Sequence, residues 1–325
     1  METRNLVISG DDDGTRLDRF IRRHHAGINQ GRIEKLLRSG AIRVDGAKAK
    51  SSTRLAEGQT VIMPEQITIQ DSKPKPASCD DPMLVQEIQA AEIGRGKGWI
   101  AINKPSGLAT QGGAGTTRHV DGVLEDAFPG GERPRLVHRL DRDTSGILLL
   151  ATTLASSRVL AMGFQQHRHQ KTYLALVLGV PKIRAGMIDA PLAKIGKPGH
   201  EKMTVDEIKG KSARTAYRVL ETMGRAASLV ALQPLTGRTH QLRAHMAYLG
   251  HPILGDGKYG GSDVFPNEGI TRLCLHAAHL VLESGETVTA PIPKDLARSF
   301  DVFGLDTGAA LTAASASELF DEGYK

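Results

Sequence analysis

The chain has 325 residues, of which 42 are Lys or Arg and 36 are Asp or Glu, and its formal net charge at pH 7 is +6. Single hydrophobic cores stop growing at roughly 250–300 residues, so this length favours two domains over one. With 40% hydrophobic and 24% charged residues, the composition excludes collagen-like, coiled-coil and wholly disordered proteins. The longest strongly apolar run, 146–151, is far too short to span a bilayer, and the N-terminus lacks a signal-peptide pattern. A soluble, cytoplasmic protein without a membrane partner is therefore predicted.

The positive charge is concentrated near the N-terminus. Residues 14–63 contain 11 Lys and Arg but four Asp and Glu, so this segment carries a net charge of +7 and the rest of the chain −1. Such a concentration suits a polyanionic partner, because each phosphate that is neutralised releases a counterion. A solvated basic face without a ligand is the alternative interpretation of a charge run.

Periodicity within residues 14–63 predicts two helices followed by a small β unit. Apolar residues recur at helical spacing in 17–21 and in 33–37, and Ile42 and Val44 then alternate with polar residues. The second helix and the following strand supply the basic side chains that we expect to contact phosphates: Arg32, Lys35, Arg38 and Arg43. The segment resembles the RNA-binding domain named after ribosomal protein S4, over about 50 residues. The resemblance implies that these four side chains bind RNA.

Composition divides the remainder of the chain into three parts. Residues 64–82 are rich in Pro, Ser and Asp and are predicted to form a linker. Residues 304–325 are small and polar, so we expect a flexible tail there. The segment between them, 83–303, is long enough for a second domain with its own core.

Short strand-like runs alternate with occasional helices in residues 83–303. Strands are predicted at 99–103, 146–151, 173–178, 213–220, 228–232 and 280–283, and helices at 120–127, 153–168 and 239–249. This irregular order favours an α+β domain with a mixed, largely antiparallel β-sheet flanked by helices over a doubly wound sheet. The sequence contains no Rossmann glycine fingerprint, P-loop or HExxH motif. A reaction without a cofactor is therefore the first to consider.

Residues 136–151 hold a polar cluster between two apolar segments. Asp141 lies between Arg139 and Arg142, and neighbouring cations keep a carboxylate ionised, as nucleophilic attack requires. The alternative is a structural loop, in which residues 143–146 form a capped turn and the charges pair with each other. Asp141 is thus a candidate catalytic residue on chemical grounds alone.

Four motifs in this domain resemble those of the RluA family of pseudouridine synthases. They are HRLDRDTSGILLLA at 138–151, NKPSGL at 103–108, KTYLA at 171–175 and TGRTHQLR at 236–243. The S4-like segment and Gln111-Gly112-Gly113 further resemble the branch that acts on 23S, large-subunit ribosomal RNA. The resemblance implies the pseudouridine synthase fold and an isomerase that converts uridine to pseudouridine without a cofactor.

The resemblance also implies roles for individual residues. Asp141 corresponds to the catalytic aspartate, Tyr173 to the tyrosine that stacks on the base and is a candidate to move its C5 proton, and Arg238 to the arginine that pairs with the aspartate. Arg139 corresponds to the side chain that fills the space left by the flipped nucleotide. His138 and Arg243 are further candidates for substrate binding. Attack by the carboxylate on C1′, attack on C6 of the base and removal of a ribose proton remain open at this point.

Two other functions compete with the synthase. A glycosidic hydrolase that uses Asp141 and Asp143 would need opposed carboxyls at least roughly 5 Å apart, which residues two apart in one turn seldom provide. A non-catalytic RNA-binding factor of ribosome assembly would need only the basic segment. We expect no metal site, since the histidine pairs lack ligands at suitable spacing and Cys79 and Cys274 lack CxxC spacing. The expected partner is naked or partly assembled ribosomal RNA, bound by a monomer.

Overall fold

A computed structural model describes residues 3–25, 28, 30–65, 81–113, 115–196, 201–265 and 268–320. The chain forms two compact units, Met1–Ser78 and Cys79–Lys325. The division falls within the predicted linker, of which residues 66–80 lie outside the described residues. The linker prediction is too long at both ends, because Pro64 ends a strand and Pro82 begins a helix.

The N-terminal unit contains two helices and a four-stranded sheet. Its elements are β1 (Thr3–Val7), α1 (Leu17–His24), α2 (Gln30–Ser39), β2 (Arg43–Val44), β3 (Ala47–Lys48) and β4 (Thr60–Pro64). The strands are antiparallel in the order β1-β4-β2-β3. The sequence pattern does not predict β1, since its side chains are almost all exposed and only its pairing with β4 defines it.

The apolar residues that predicted the two helices form the core of this unit. They are Leu17, Phe20, Ile21, Ile33, Leu36 and Leu37, packed with Val61 and Met63 of β4. Burial of each such side chain contributes about 1.5–3 kcal/mol. Because the apolar stripe of α2 faces this core, its polar stripe faces outward.

The C-terminal unit is built on one large sheet. Its elements are α3 (Pro82–Ala90), β5 (Glu92–Gly96), β6 (Trp99–Lys104), α4 (Leu124–Ala127), β7 (Arg135–Leu136), β8 (Ser145–Ala151), α5 (Leu154–Gln165), β9 (Gln170–Leu178), β10 (Ala185–Asp189), β11 (Leu192–Ile195), β12 (Lys202–Val205), β13 (Arg214–Met223), β14 (Ala227–Pro234), α6 (Gln241–Tyr248), α7 (Gly257–Gly260), β15 (Leu275–Val281), β16 (Thr287–Thr289), α8 (Lys294–Asp301) and α9 (Thr307–Ala314).

The strands of this sheet follow the order β10-β13-β14-β9-β15-β8-β6-β5, with β16 beside β15 and β7 beside β8. β15 and β8 pair in parallel, and the other strand pairs described for this sheet are antiparallel. The prediction of a mixed, largely antiparallel sheet is confirmed. A separate hairpin of β11 and β12 lies outside it.

The central strands read as continuous apolar runs because both faces of the sheet are covered. All seven residues of β8 are buried, and residues 172–177 of β9 are buried as well. β8 and β9 lie on either side of β15, so the polar segment that precedes β8 and the motif that begins β9 come to the middle of the sheet. Two of the family-like motifs are neighbours in space for this reason.

The predicted flexible tail is wrong for residues 304–320. Asp306 caps α9 by accepting a hydrogen bond from Ala309 N at 2.6 Å, and Ala310 and Ala314 are buried in the main core. α9 packs against β9 and β15. The small side chains of α9 allow the helix to approach the sheet closely. The lack of large apolar residues in this segment therefore reflects close packing. Residues 321–325 lie outside the described residues.

Helix length and polarity rule out a transmembrane helix in the part of the chain that the structure describes.

Candidate active site

Asp141 lies in the loop between β7 and β8. At the start of β8, Gly146 has φ of 112°, a conformation that side-chain-bearing residues rarely adopt. A Cβ there would also overlap the backbone of Ala277 in β15. Glycine thus permits the close parallel pairing of β8 with β15 that fixes the C-terminal end of the loop.

Side chains from residues 104–110 anchor the backbone on both sides of Asp141. The anchoring bonds are Lys104 Nζ to Arg142 O at 3.0 Å, Ser106 Oγ to Asp143 O at 2.7 Å and Thr110 Oγ1 to Leu140 O at 2.8 Å. Lys104 is fully buried, and burial lowers its pKa to about 7. Lys104 and Ser106 lie in the NKPSGL motif, but neither they nor Thr110 were predicted to have a role in the site.

A cavity of about 130 Å³ lies beside this loop, and we call it the reaction cavity. Five of the six residues predicted for catalysis and substrate binding line it: Arg139, Asp141, Tyr173, Arg238 and Arg243. They come from the β7–β8 loop, β9, the segment after β14 and α6. The cavity therefore joins a carboxylate, a phenol and three guanidinium groups.

Asp141 faces His240, not Arg238 as predicted. The side chain of Asp141 is 30% exposed, and its Oδ2 lies 4.0 Å from His240 Nε2. His240 has φ of 49° at the start of α6, and this left-handed turn directs its ring toward the carboxylate. Burial lowers the pKa of His240, and Asp141 opposes that effect.

The predicted ion pair between Arg238 and Asp141 is not formed, because Arg238 is held elsewhere. Its Nε donates to Ser212 O at 3.0 Å, and among the described residues no Arg238 nitrogen lies within 4.0 Å of the Asp141 carboxylate. Arg238 is exposed on the segment ahead of α6. Its side chain still lines the reaction cavity.

Tyr173 forms a wall of the reaction cavity from β9. Its side chain is 9% exposed. Burial, together with the negative charge of Asp141, raises the pKa of the phenol above its ordinary value. The ring therefore presents a neutral, apolar face with a hydroxyl donor, which suits stacking against a planar base.

Arg243 reaches the cavity with its charge already neutralised. Its Nε and Nη2 donate to the two carboxylate oxygens of Asp256, each at 2.7 Å, and its guanidinium lies 5.2 Å from the Tyr259 ring centre. Asp256 and Tyr259 are absent from the sequence prediction. Nothing in the spacing of GDGKYG signals that this turn meets α6.

His138 does not line the reaction cavity. Its Nε2 accepts a hydrogen bond from Leu149 N at 2.9 Å, and its ring stacks on Phe164 with centres 4.2 Å apart. Burial lowers the pKa of His138 to about 3, so the ring is neutral. The predicted substrate-binding histidine instead forms part of the wall of a neighbouring cavity.

A glycosidic hydrolase would need Asp143 as a second carboxylate in the reaction cavity. Asp143 lies outside this cavity. Its carboxylate accepts from Arg142 Nε at 3.0 Å, and Asp143 lines a neighbouring cavity that Asp141 also borders. In the described ranges, no group of three His, Cys, Asp or Glu residues is placed to hold a metal ion. The site thus presents one carboxylate to the cavity.

The basic residues predicted to bind RNA lie on α2 and at the start of β2. Lys35, Arg38 and Arg43 are exposed, whereas Arg32 is half-buried. Arg43 donates to Gly40 O at 3.0 Å and so stays close to its own backbone. Lys35 and Arg38 project from the outer face of α2, as the sequence pattern predicts.

Comparisons with known proteins agree with this geometry. Residues 98–248 match the model of the RNA pseudouridylate synthase family, and residues 15–61 match the S4 domain. "Ribosomal large subunit pseudouridine synthase C" of Vibrio vulnificus is 34% identical over 91% of this chain and 96% of its own length. The protein of that name from Escherichia coli is 33% identical, over 89% and 92%.

Solved structures give the same result for the fold. Human RNA Pseudouridylate Synthase Domain Containing 4 matches 69% of this chain and 97% of its own, with 27% identity and a TM-score of 0.60. Human RNA Pseudouridylate Synthase Domain Containing 1 covers 66% of this chain and 86% of its own, with 30% identity and a TM-score of 0.53. A one-carboxylate cavity on a mixed sheet, joined to an RNA-binding unit, defines an RNA-modifying isomerase. The chain belongs to the RNA pseudouridylate synthase family and is an RNA pseudouridine synthase with an N-terminal S4 domain.

Proposed function

We propose that this protein isomerises specific uridines of 23S ribosomal RNA, with Asp141 as the catalytic carboxylate. The observation that carries the assignment of Asp141 is its position in the reaction cavity with Tyr173 and Arg238. The names of the relatives, which match most of the chain, support the large ribosomal subunit as the source of the substrate. Ribosomal RNA, naked or partly assembled, is then the partner of a monomeric cytoplasmic enzyme.

The reaction is balanced without any added atom. The bond from N1 of uracil to C1′ breaks, the base rotates, and C5 bonds to C1′ while the C5 proton is lost and N1 gains one. An ionised carboxylate beside the ribose assists the cleavage, and the cavity keeps the detached base in place. Asp141 supplies this carboxylate, and its one ion-pairing neighbour among the described residues is His240, at 4.0 Å, so the carboxylate is free to face the ribose.

The other residues of the cavity act on the base and the RNA. Tyr173 supplies a platform for the uracil ring, and its neutral hydroxyl is positioned to hydrogen-bond or exchange a proton with it. Arg139 is exposed at the mouth of the cavity. There it fills the space that the flipped nucleotide leaves in the RNA, which offsets the few kcal/mol of unstacking. Arg238 lines the same cavity and adds a positive charge beside the bound nucleotide.

Pseudouridine mapping of ribosomal RNA tests the proposal. Cells that lack the protein should lose one or more pseudouridines of 23S RNA, and the wild-type gene should restore them. Asp141→Asn should fail to restore them while the purified variant still binds the RNA. Asp143→Asn is the matched control, since that carboxylate is two residues away and outside the reaction cavity. Unchanged 23S pseudouridines refute the substrate, and restoration by Asp141→Asn refutes the catalytic assignment.

A further inference from the structure

A second cavity of about 340 Å³ adjoins the reaction cavity, and we call it the phosphate cavity. It lies between the end of α5, the start of β9 and residues 237–239. Its charged and titratable lining groups are His138, Arg139, Asp141, His167, Lys171, Tyr173 and Arg238. Asp141 is the one carboxylate among these lining residues and also belongs to the reaction cavity. The remainder of the phosphate cavity is strongly positive.

Lys171 lines this cavity and the reaction cavity as well. It precedes Tyr173 by two residues in β9, so both side chains point to the same face of the strand. Lys171 is half-buried, and burial lowers its pKa. No carboxylate of the described residues lies within 4.0 Å of Nζ, which lies 5.9 Å from the centre of the Phe164 ring.

An ammonium group in this position costs folding free energy. Desolvation disfavours the charged form, and no described carboxylate compensates for it. Methionine has a similar length and would fill the same space without that cost. The ammonium, which no described carboxylate pairs, is therefore available to an anionic group from outside the folded chain.

His167 contributes a second group to the same cavity. Its φ is 56°, a left-handed conformation at the end of α5 that histidine adopts at some cost. A Cβ on Gly237 would lie 4.0 Å from His167 Cε1, so the ring faces the segment that carries Arg238. His167, Lys171 and Arg238 line the same cavity. Burial lowers the pKa of His167, and the charges of Lys171 and Arg238 lower it further.

We propose that the phosphate cavity binds one phosphodiester group of the RNA backbone beside the flipped uridine, with Lys171 and His167 as its ligands. This inference rests on the proposed function, because it requires RNA in the reaction cavity. A phosphate supplies the negative charge that Lys171 lacks, and charge-assisted hydrogen bonds to phosphate fix the register of a nucleic acid. Binding there would align the flanking linkage so that the uracil ring meets Tyr173 and Asp141.

Replacing the phosphates of the RNA one at a time by a neutral group identifies the phosphate that binds in this cavity. The probe is an RNA oligonucleotide that the wild-type enzyme converts, carrying one methylphosphonate at successive linkages around the target uridine. Binding is measured in the Asp141→Asn background, so that the RNA stays unconverted. We expect one linkage at which the neutral group weakens binding about tenfold. The position of that linkage assigns the 5′ or the 3′ phosphate.

Lys171→Met should weaken binding of unmodified RNA by a similar factor and remove the sensitivity at that one linkage. Lys182→Met, at an exposed lysine of the same unit, is the control and should preserve both. If Lys171→Met and the methylphosphonate weaken RNA binding by factors that simply multiply when the two are combined, Lys171 and that phosphate do not interact. The proposal is then overturned. It is also overturned if Lys171→Met lowers the midpoint of urea unfolding, because the lysine would then be structural.

A pH series provides a second readout. Phosphate binding favours the charged form of His167, so RNA affinity should rise severalfold as the pH falls from about 8 to 6. His167→Asn, which tolerates the left-handed backbone, should flatten this dependence. The neighbouring His138 stays neutral throughout that range. A pH dependence unchanged by His167→Asn contradicts the role of His167. Conversion of the unmodified oligonucleotide is scored separately, so failure of the proposed function is distinguishable from failure of the phosphate site.

Discussion

Arg243 and Asp256 form a buried two-point ion pair at the edge of the reaction cavity, with Nε to Oδ2 and Nη2 to Oδ1 both at 2.7 Å. The Asp256 side chain is fully buried and that of Arg243 is 7% exposed. Desolvation tends to lower the pKa of Arg243, yet the bonds to Asp256 raise it overall. Neither charge can be removed alone without leaving the other uncompensated.

Asp256→Asn should therefore lower the free energy of unfolding by about 3–5 kcal/mol, because it leaves a buried guanidinium unpaired. Arg243→Met combined with Asp256→Asn should lose less than Asp256→Asn alone. The exposed pair of Arg142 and Asp143, at 3.0 Å, offers a matched control, and Asp143→Asn should cost less than about 1 kcal/mol. Urea unfolding at pH 7 gives all three values. Equal losses for Asp256→Asn and Asp143→Asn would contradict this account.

Lys104 positions Asp141 without touching the reaction cavity. Its Nζ donates to the carbonyls of Pro105, Leu108 and Arg142, the last of these adjacent to Asp141. Lys104→Met removes the donor and leaves these carbonyls without their partner. A displacement of about 1 Å at a reacting group can cost about 100-fold in rate. We expect kcat to fall by about that factor while the RNA dissociation constant changes less than about threefold.

Single-turnover kinetics and filter binding separate these two quantities for Lys104→Met. The exposed Lys97, replaced by methionine, serves as the control. Loss of affinity and rate in equal proportion would mean that Lys104 acts on RNA binding or on the fold as a whole, not on the position of Asp141.

His276 makes the stability of the C-terminal unit sensitive to acid. It is fully buried, its Nδ1 lies 2.9 Å from Ser145 Oγ, and burial lowers its pKa to about 4. In the unfolded chain a histidine titrates near about 6.5. Between these two values the unfolded state binds the extra proton, so stability falls as the pH falls from about 6.5 to 4, by about 3 kcal/mol in total.

His276→Gln should reduce this pH dependence, whatever its effect on stability at pH 7. Urea unfolding of both proteins at pH 7.5 and at pH 5 measures the difference. His138, whose pKa is lowered to about 3, contributes similarly to the pH dependence of both proteins. The difference between their slopes of unfolding free energy against pH is therefore due to His276. Parallel slopes for the variant and the wild type would show that His276 does not resist protonation in the folded state.

The helices and strands that were predicted correctly are those in which the spacing of apolar residues indicates which face of the element is buried. β8 is an unbroken apolar run, and α2 has a clear helical stripe, so local pattern and tertiary structure agree. β1 and α9 lack such a pattern, because one depends on backbone pairing and the other on the close packing of alanines. Tertiary context decides elements of this kind.

The same distinction applies to the site. Motif resemblance identified Asp141 and Tyr173, which line one cavity. It also implied that Arg238 pairs with Asp141, whereas His240 faces the carboxylate in this structure. Partners such as Asp256 and Lys104 are set by contacts between distant parts of the chain, which residue spacing does not encode. Sequence motifs thus identify the functional side chains, whereas the tertiary structure determines which of them are in contact.

The outer face of α2 should account for part of the salt dependence of RNA binding. Lys35 and Arg38 are exposed there, opposite the buried Ile33 and Leu37. If each contacts one phosphate, the double variant Lys35→Gln/Arg38→Gln should reduce the slope of log affinity against log salt by about 0.7–0.9 per residue. Binding measured between about 50 and 200 mM salt gives this slope.

Lys182→Gln is the control, since it removes an exposed positive charge from the C-terminal unit and should leave the slope unchanged. Conversion at saturating RNA should be unaffected by the double variant, because neither α2 side chain lines the reaction cavity. A slope equal to that of the wild type would mean that the charge of this helix is solvated and that the phosphates are bound elsewhere. A reduced slope with reduced conversion at saturation would instead indicate that α2 orients the RNA for the reaction, and not only holds it.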